Sequence, residues 1–231
     1  MSQGKLSIVE IAERFRKIRS ANVYDVLDAM GMPFQTLSLE IKPLREDMRI
    51  AGAALTVQGY RYPEKLCSEE NWRRFEKVYR SVFEGCVVVV NPERGAEGIG
   101  TFGEMTSWCL KQKGARGILV DGGIRDRMGL LEIPDWPVFA RYTSHIESNG
   151  RWVVGEVGVP ISLSGQLRSQ VQVRPGDFIV GDCDGVVVVP QEVVEEVLVK
   201  AEEVERLEQL SRQELSKGTP FEEVFEKYGR A

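Results

Sequence analysis

Cys86-Val-Val-Val-Val90 restricts the possible folds of this chain more than any other segment. A continuous apolar run of strand length suits a strand covered on both faces, as in parallel sheets flanked by helices. Gly117-Ile-Leu-Val-Asp121 repeats the pattern. Between the two, 91–103 reads as a Gly-rich loop and Glu104–Lys113 as a helix closed by Gly114. Residues 86–121 therefore predict a βαβ unit. Its loops lie at the strands' C-terminal ends, where open α/β sheets bind ligands.

The flanks complete an α/β reading. Ile8, Ile11, Ala12 and Phe15 have helical spacing within 7–17, and 22–30 predicts a second helix with Asn22 as N-cap, Gly31 as stop and Pro33 behind it. A strand is expected over 50–60 and a helix over 70–82. From Trp136 to Pro190 the pattern changes to short strands at 137–141, 151–157, 159–163, 169–173, 177–181 and 185–189, with turns at Val173–Asp177 and Asp182–Gly185. Residues 191–216 predict a long helix. Its apolar stripe is Val194, Val197, Ala201, Val204 and Leu207, and its i,i+4 pairs are Glu196–Lys200, Glu202–Arg206 and Glu208–Arg212. Such a stripe packs on the chain's own core or on a neighbouring subunit. The expected organisation is one domain over 1–231, with a helical region at 1–49, an α/β core at 50–190 and C-terminal helices at 191–231.

Composition removes several classes. With 30 Lys+Arg against 35 Asp+Glu the net charge is −5, so no basic excess exists to meet nucleic acid or an anionic membrane. Four separated cysteines without a C-x-x-C argue against a structural zinc site or a disulfide framework, and a reducing cytoplasm is the expected compartment. Residues 1–20 lack the apolar core of a signal peptide, and no apolar run is long enough to span a bilayer. A single histidine, His145, excludes histidine-dyad chemistry within one chain and reads as a surface or structural residue. Cys109 reads as a packed small apolar side chain, and Asp182 and Asp184 as turn residues.

Two segments carry potential chemistry: Gly98-Ile-Gly-Thr-Phe-Gly-Glu104 at a helix start, and Asp121-Gly-Gly-Ile-Arg-Asp126 after a strand. A helix N-terminus with adjacent glycines holds a carboxylate or phosphate well. Glu104 and Asp126 are hard oxygen donors for a magnesium- or manganese-type ion, and Arg125 is a donor fork for an oxyanion. Gly98-x-Gly100-x-x-Gly103 also matches the dinucleotide fingerprint, with Asp121 eighteen residues beyond it. Against that oxidoreductase reading, seven residues separate the strand from the first glycine, where the Rossmann turn is tight. Taken alone, Arg125-Asp126 is most simply a turn ion pair, and Asp121 is either a ligand-shell residue or one that orders a loop.

Glu104, followed after twenty residues by Arg125-Asp126, resembles the acidic-x20-Arg-Asp motif of the RraA-like proteins. That group includes class II 4-hydroxy-4-methyl-2-oxoglutarate aldolases and regulators of RNase E. The resemblance extends over roughly 20–210, through 22–31, Val138-Phe-Ala-Arg141, Tyr142-Thr-Ser144, Val159-Pro-Ile161, Arg174-Pro-Gly-Asp177 and 182–190. It implies an RraA-like swivelling β/β/α domain, with the N-terminal helices and long C-terminal helix read above. It also implies a homotrimer or homohexamer whose active site lies between subunits.

For the site, the resemblance implies that Asp126 binds Mg2+ or Mn2+ directly and Glu104 reaches it through water. Arg125 would contact the pyruvyl group as the catalytic residue, and amides around Gly103, Glu104 and Met105 would take the substrate carboxylate. Glu104 departs from the Asp of the aldolase motif by one methylene, and an acidic residue of a neighbour, from 192–203, is expected to contribute. The implied activity is a divalent-metal-dependent lyase that releases pyruvate from 2-oxo acids, by retro-aldol cleavage of 4-hydroxy-2-oxo acids or decarboxylation of oxaloacetate, through an enolate. A Schiff-base route finds no lysine in the apolar strands. The alternative is a non-catalytic regulator that binds a protein such as a ribonuclease. Helices before Ala51 favour the aldolase side, because the regulators lack much of that region.

Overall fold

The computed structural model describes residues 6–93 and 96–229. The ends of the expected terminal regions (1–5 and 230–231) and two positions of the 91–103 loop lie outside the described residues.

The buried valine run forms the middle of the larger sheet. β2 (Ile50–Arg61), β3 (Cys86–Asn91), β5 (Ile118–Ile124) and β6 (Val138–Thr143) run parallel in the order β6-β5-β3-β2. Val87 to Val90 are fully buried, as a strand covered on both faces requires. β1 (Lys42–Pro43) closes one edge against β6. β10 (Phe178–Gly181) and β11 (Val186–Val189) extend the other edge antiparallel to β2, joined by the predicted 182–185 turn. β7 (Trp152–Val157) pairs with the far end of β2, and β8 (Ile161–Ser164) with β9 (Gln170–Val173) forms a separate hairpin.

The expected βαβ unit is present, with two corrections. The 91–103 stretch is not all loop: β4 (Gly100–Phe102) pairs parallel with the end of β5. β5 also runs on through Asp121-Gly-Gly-Ile124, which lies within the strand rather than after it. A Cβ on Gly122 would stand 2.6 Å from Pro92, and one on Gly123 2.3 Å from the Tyr142 ring. These glycines let neighbouring segments close on an extended backbone, whereas from sequence they read as a loop.

The N-terminal region supplies α1 (Ile8–Phe15) and α2 (Ser20–Ala29), the C-terminal region α6 (Val194–Ser216) and α7 (Phe221–Tyr228). α1, α2 and α6 cover β2, β10 and β11 through Phe15, Leu27, Phe178, Val187, Val197 and Leu198. Val194, Val197, Ala201 and Val204 of the α6 stripe therefore pack on the chain's own core, and Leu207 lies beyond it. Asn22 is not the N-cap of α2. The helix begins at Ser20, whose N–H and Oγ donate to the buried Asp182 at 2.8 and 2.6 Å. Asn22 instead donates to Glu205 and Glu208 of α6. Of the expected α6 pairs, Glu196–Lys200 and Glu208–Arg212 form. Arg206 instead takes Glu203, while Glu202 holds Arg14 of α1 with both oxygens.

α3 (Ser68–Ser81) and α4 (Glu104–Gln112) match their expected positions, and a short α5 (Arg127–Glu132) follows β5. Cys109 is only half-buried; Ser107 and Leu110 form the inward face of α4. No helix among the described residues is long and apolar enough to cross a membrane.

Candidate functional site

The start of α4 and the end of β5 meet at one point. Gly103 is the N-cap of α4, and Asp126 is the residue before α5. The Asp126 carboxylate lies over the α4 N-terminus, where Oδ2 accepts the Glu104 N–H at 3.4 Å. Its Oδ1 accepts Arg125 Nε at 3.2 Å. The bland ion pair expected between these neighbours is thus real, yet it does not exhaust them. Both side chains remain partly exposed, at 34% and 42%.

Three glycines make the room. A Cβ on Gly103 would fall 2.4 Å from Asp126 Oδ2 and 2.9 Å from Arg125 Cγ. One on Gly129 would fall 2.1 Å from Glu104 Oε2, and one on Gly100 2.7 Å from Arg125 Cβ. Glu104, Arg125 and Asp126 therefore occupy space that side chains at 100, 103 and 129 would take. Gly129 carried no signal in the sequence, because its role depends on α5 folding back beside α4.

Asp126 adopts the left-handed region at φ 60°, which short Asp side chains tolerate better than most. Such strain concentrates at functional positions. Of the three amides expected to meet a substrate carboxylate, Gly103 N–H donates to Thr106 Oγ1 at 3.1 Å and Glu104 N–H to Asp126. The N–H groups of Met105 and Thr106 lie in the first turn, where a helix offers no internal acceptor. The Met105 side chain is exposed.

The loop leading into the site is pinned from β6 onward. Tyr142 Oη accepts Gly98 N–H at 2.7 Å, Ser144 Oγ donates to Gly98 O at 2.6 Å, and Ile146 O accepts Gly100 N–H at 2.9 Å. His145, between them, is exposed. The fingerprint glycines do not form a Rossmann turn, since Gly100 is inside β4. Asp121 orders the start of a neighbouring segment, as one of its two readings expects. Its carboxylate bridges Arg141 Nε at 2.5 Å and the Ser164 N–H at 2.6 Å. Burial raises its pKa, and the Ser164 N–H opposes that rise. With Arg141 it lines a polar cleft of about 900 Å³ that does not include Glu104, Arg125 or Asp126.

The part-exposed carboxylates of Asp126, on the Arg125 guanidinium, and of Glu104, against Gly129, are hard oxygen donors of the kind that suits a divalent cation keeping much of its water shell, as Mg2+ commonly does. Among the described residues no three His, Cys, Asp or Glu side chains cluster as a closed metal site.

This combination defines an α/β protein whose carboxylates and arginine gather at a helix start, on the C-terminal side of a parallel sheet. The chain belongs to the RraA-like family (aldolase/RraA), which matches residues 20–188. A protein of Halalkalibacterium halodurans named "Putative 4-hydroxy-4-methyl-2-oxoglutarate aldolase" is 33% identical over 201 residues, covering 87% of this chain and 85% of that protein. The crystal structure of Streptomyces coelicolor RraAS2, described as an unusual member of the RNase ES inhibitor RraA protein family, superposes with a TM-score of 0.73 at 28% identity, covering 90% of this chain and 98% of that one. The RNA-processing inhibitor RraA from Thermus thermophilis gives 0.56 at 25% identity, over 73% of this chain and 92% of its own.

Proposed function

We propose that this protein is a divalent-metal-dependent lyase that releases pyruvate from 2-oxo acids. Its substrates are 4-hydroxy-2-oxo acids, cleaved by retro-aldol reaction, or oxaloacetate, decarboxylated. The observation that carries the reading is the convergence of Glu104, Arg125 and Asp126 at the α4 N-terminus, in space left by Gly100, Gly103 and Gly129. The aldolase name of the Halalkalibacterium relative supports it.

Mg2+ or Mn2+, held directly by Asp126 and through water by Glu104, would supply Lewis-acid stabilisation of the developing enolate charge. The chain does the rest. The free N–H groups at the start of α4 take the substrate carboxylate, favoured there by the helix dipole. Arg125 places its donor fork on the keto oxygen, where negative charge grows as the carbon–carbon bond breaks. Asp126 orients that fork through its 3.2 Å contact with Nε. The site is open on one chain, which favours assembly as a trimer or hexamer whose neighbour closes it.

The test is pyruvate release by purified protein from oxaloacetate and from a 4-hydroxy-2-oxo acid, with Mg2+ or Mn2+, with and without chelator. Chelator-sensitive release above the metal blank is expected. Absence of release from a folded, oligomeric sample would sink the lyase reading. The second reading, a regulator binding a ribonuclease, is favoured by the likeness to RraAS2 over nine-tenths of the chain. It predicts inhibition of a ribonuclease that is unaffected by Arg125→Ala.

A further inference from the structure

A second polar pocket opens at the other end of the parallel strands. Its volume is about 380 Å³, and Arg16, Arg45, Arg49, Asp135 and Trp136 are among its walls. Arg16 follows α1, Arg45 and Arg49 precede β2, and Trp136 precedes β6. Arg125 follows β5 at the opposite end, a strand length of about 20 Å away.

The charge of this pocket and the way its walls are held suit it to an anion. First, three guanidinium groups line it against only two carboxylates, Asp47 and Asp135, in a chain of net charge −5. Arg49 donates to the backbone oxygen of Arg16 at 3.1 Å and has no ion pair among the described residues. Asp47, which holds Arg45, is two residues away on an exposed segment. Second, the pocket is braced. Asp135 adopts φ 46°, one of three non-glycine residues in the left-handed region among those described, and grips Arg16 with both oxygens at 2.6 and 3.2 Å. Lys111 reaches the carbonyls of Pro134 and Asp135 from α4, adding a further cation to this end. Trp136 is 2% exposed and its Nε1 is buried with no hydrogen-bond partner. That nitrogen is enclosed by protein, so Trp136 contributes a rigid apolar wall to the pocket and no donor to its contents.

We propose that this pocket binds a phosphate-type dianion, either free phosphate or the phosphate of a small ester. Guanidinium forks arriving from α1 and from the segment before β2 suit an anion that offers several oxygens in different directions, which a carboxylate does not. The proposal stands apart from the lyase reading and uses none of its residues.

Isothermal titration of the full-length protein with inorganic phosphate and with phenyl phosphate tests it. The comparison set is wild type, Arg125→Ala, Arg45→Gln/Arg49→Gln and Trp136→Phe, each checked for its melting temperature. Binding is expected in wild type and Arg125→Ala alike, weakened by about tenfold or more in the arginine double variant. Tighter binding of inorganic phosphate would identify the free ion as ligand, and tighter binding of phenyl phosphate an ester. With 5-fluorotryptophan incorporated, the ¹⁹F resonance that Trp136→Phe removes should move on titration. No heat from either compound up to about 10 mM, an affinity too weak to matter, overturns the proposal. So does binding that Arg125→Ala abolishes while the Arg45/Arg49 variant leaves it unchanged, because the anion would then sit at α4.

Discussion

Replacing Gly103 by alanine separates the site from the fold. The backbone there has φ −138° and ψ −164°, an extended conformation open to any residue. Alanine brings no backbone strain and costs an N-cap position no more than about 1 kcal/mol. The new Cβ would nevertheless stand 2.4 Å from Asp126 Oδ2 and 2.9 Å from Arg125 Cγ, so the carboxylate must retreat by about 1 Å to reach ordinary contact. Oδ2 is the end of a rotatable side chain, and it moves before the backbone does. A displacement of that size in a positioned catalytic group costs about a hundredfold in rate. The expected result is a melting temperature within a few degrees of wild type and pyruvate release reduced by about two orders of magnitude. Gly100→Ala is the contrasting variant. Its Cβ would meet the Arg125 backbone N at 3.0 Å and Ile124 C at 3.1 Å, so β4 and β5 must part and stability must fall. If Gly103→Ala kept the wild-type rate of pyruvate release while remaining folded, the placement of Asp126 and Arg125 at the reacting centre would be refuted.

Other perturbations probe separate parts of the argument. Arg125→Ala should lower kcat/KM for pyruvate release by an amount matching about 3–4 kcal/mol, the usual loss for a preorganised oxyanion donor, with little change in melting temperature. Asp182→Ala leaves Ser20 N–H, Ser20 Oγ and Asp184 N–H without their acceptor. Chemical denaturation should show a loss of about 2–3 kcal/mol, and a loss below 0.5 would discredit the cap. Asp135 has a pKa held below the ordinary carboxylate value, first by its hydrogen bonds from Arg16 and then by nearby cations. A depressed folded pKa contributes stability above the unfolded value that disappears as pH falls through the folded one. The melting-temperature gap between wild type and Asp135→Asn should therefore be constant from neutral pH down to the ordinary carboxylate range and close only below it. Ser7→Ala removes a reciprocal capping box with Glu10 and should cost about 1 kcal/mol by the same denaturation assay.

How much of this was readable beforehand follows from the range of the interactions. The valine run and its helical partner are local patterns, so the parallel strands, α4 and the long α6 stand where periodicity places them. The Glu104–Arg125–Asp126 spacing was visible because one βαβ unit carries it, and a strand–helix–strand path returns both loops to the same end of the sheet. Asn22 misled as a cap because the true acceptor, Asp182, lies 162 residues away. The strand character of Gly122–Ile124 was hidden because glycines have low strand propensity alone, and here Pro92 and Tyr142 fill the space that their missing side chains leave. Gly129 became meaningful only when α5 folded beside Glu104. The Arg16, Arg45, Arg49 and Trp136 pocket had no sequence signal at all, since its walls come from three separate segments. Hydrophobic period and chain connectivity act over a few residues and are written in the sequence. Which distant side chains share one volume is decided by close packing, and only the tertiary structure decides it.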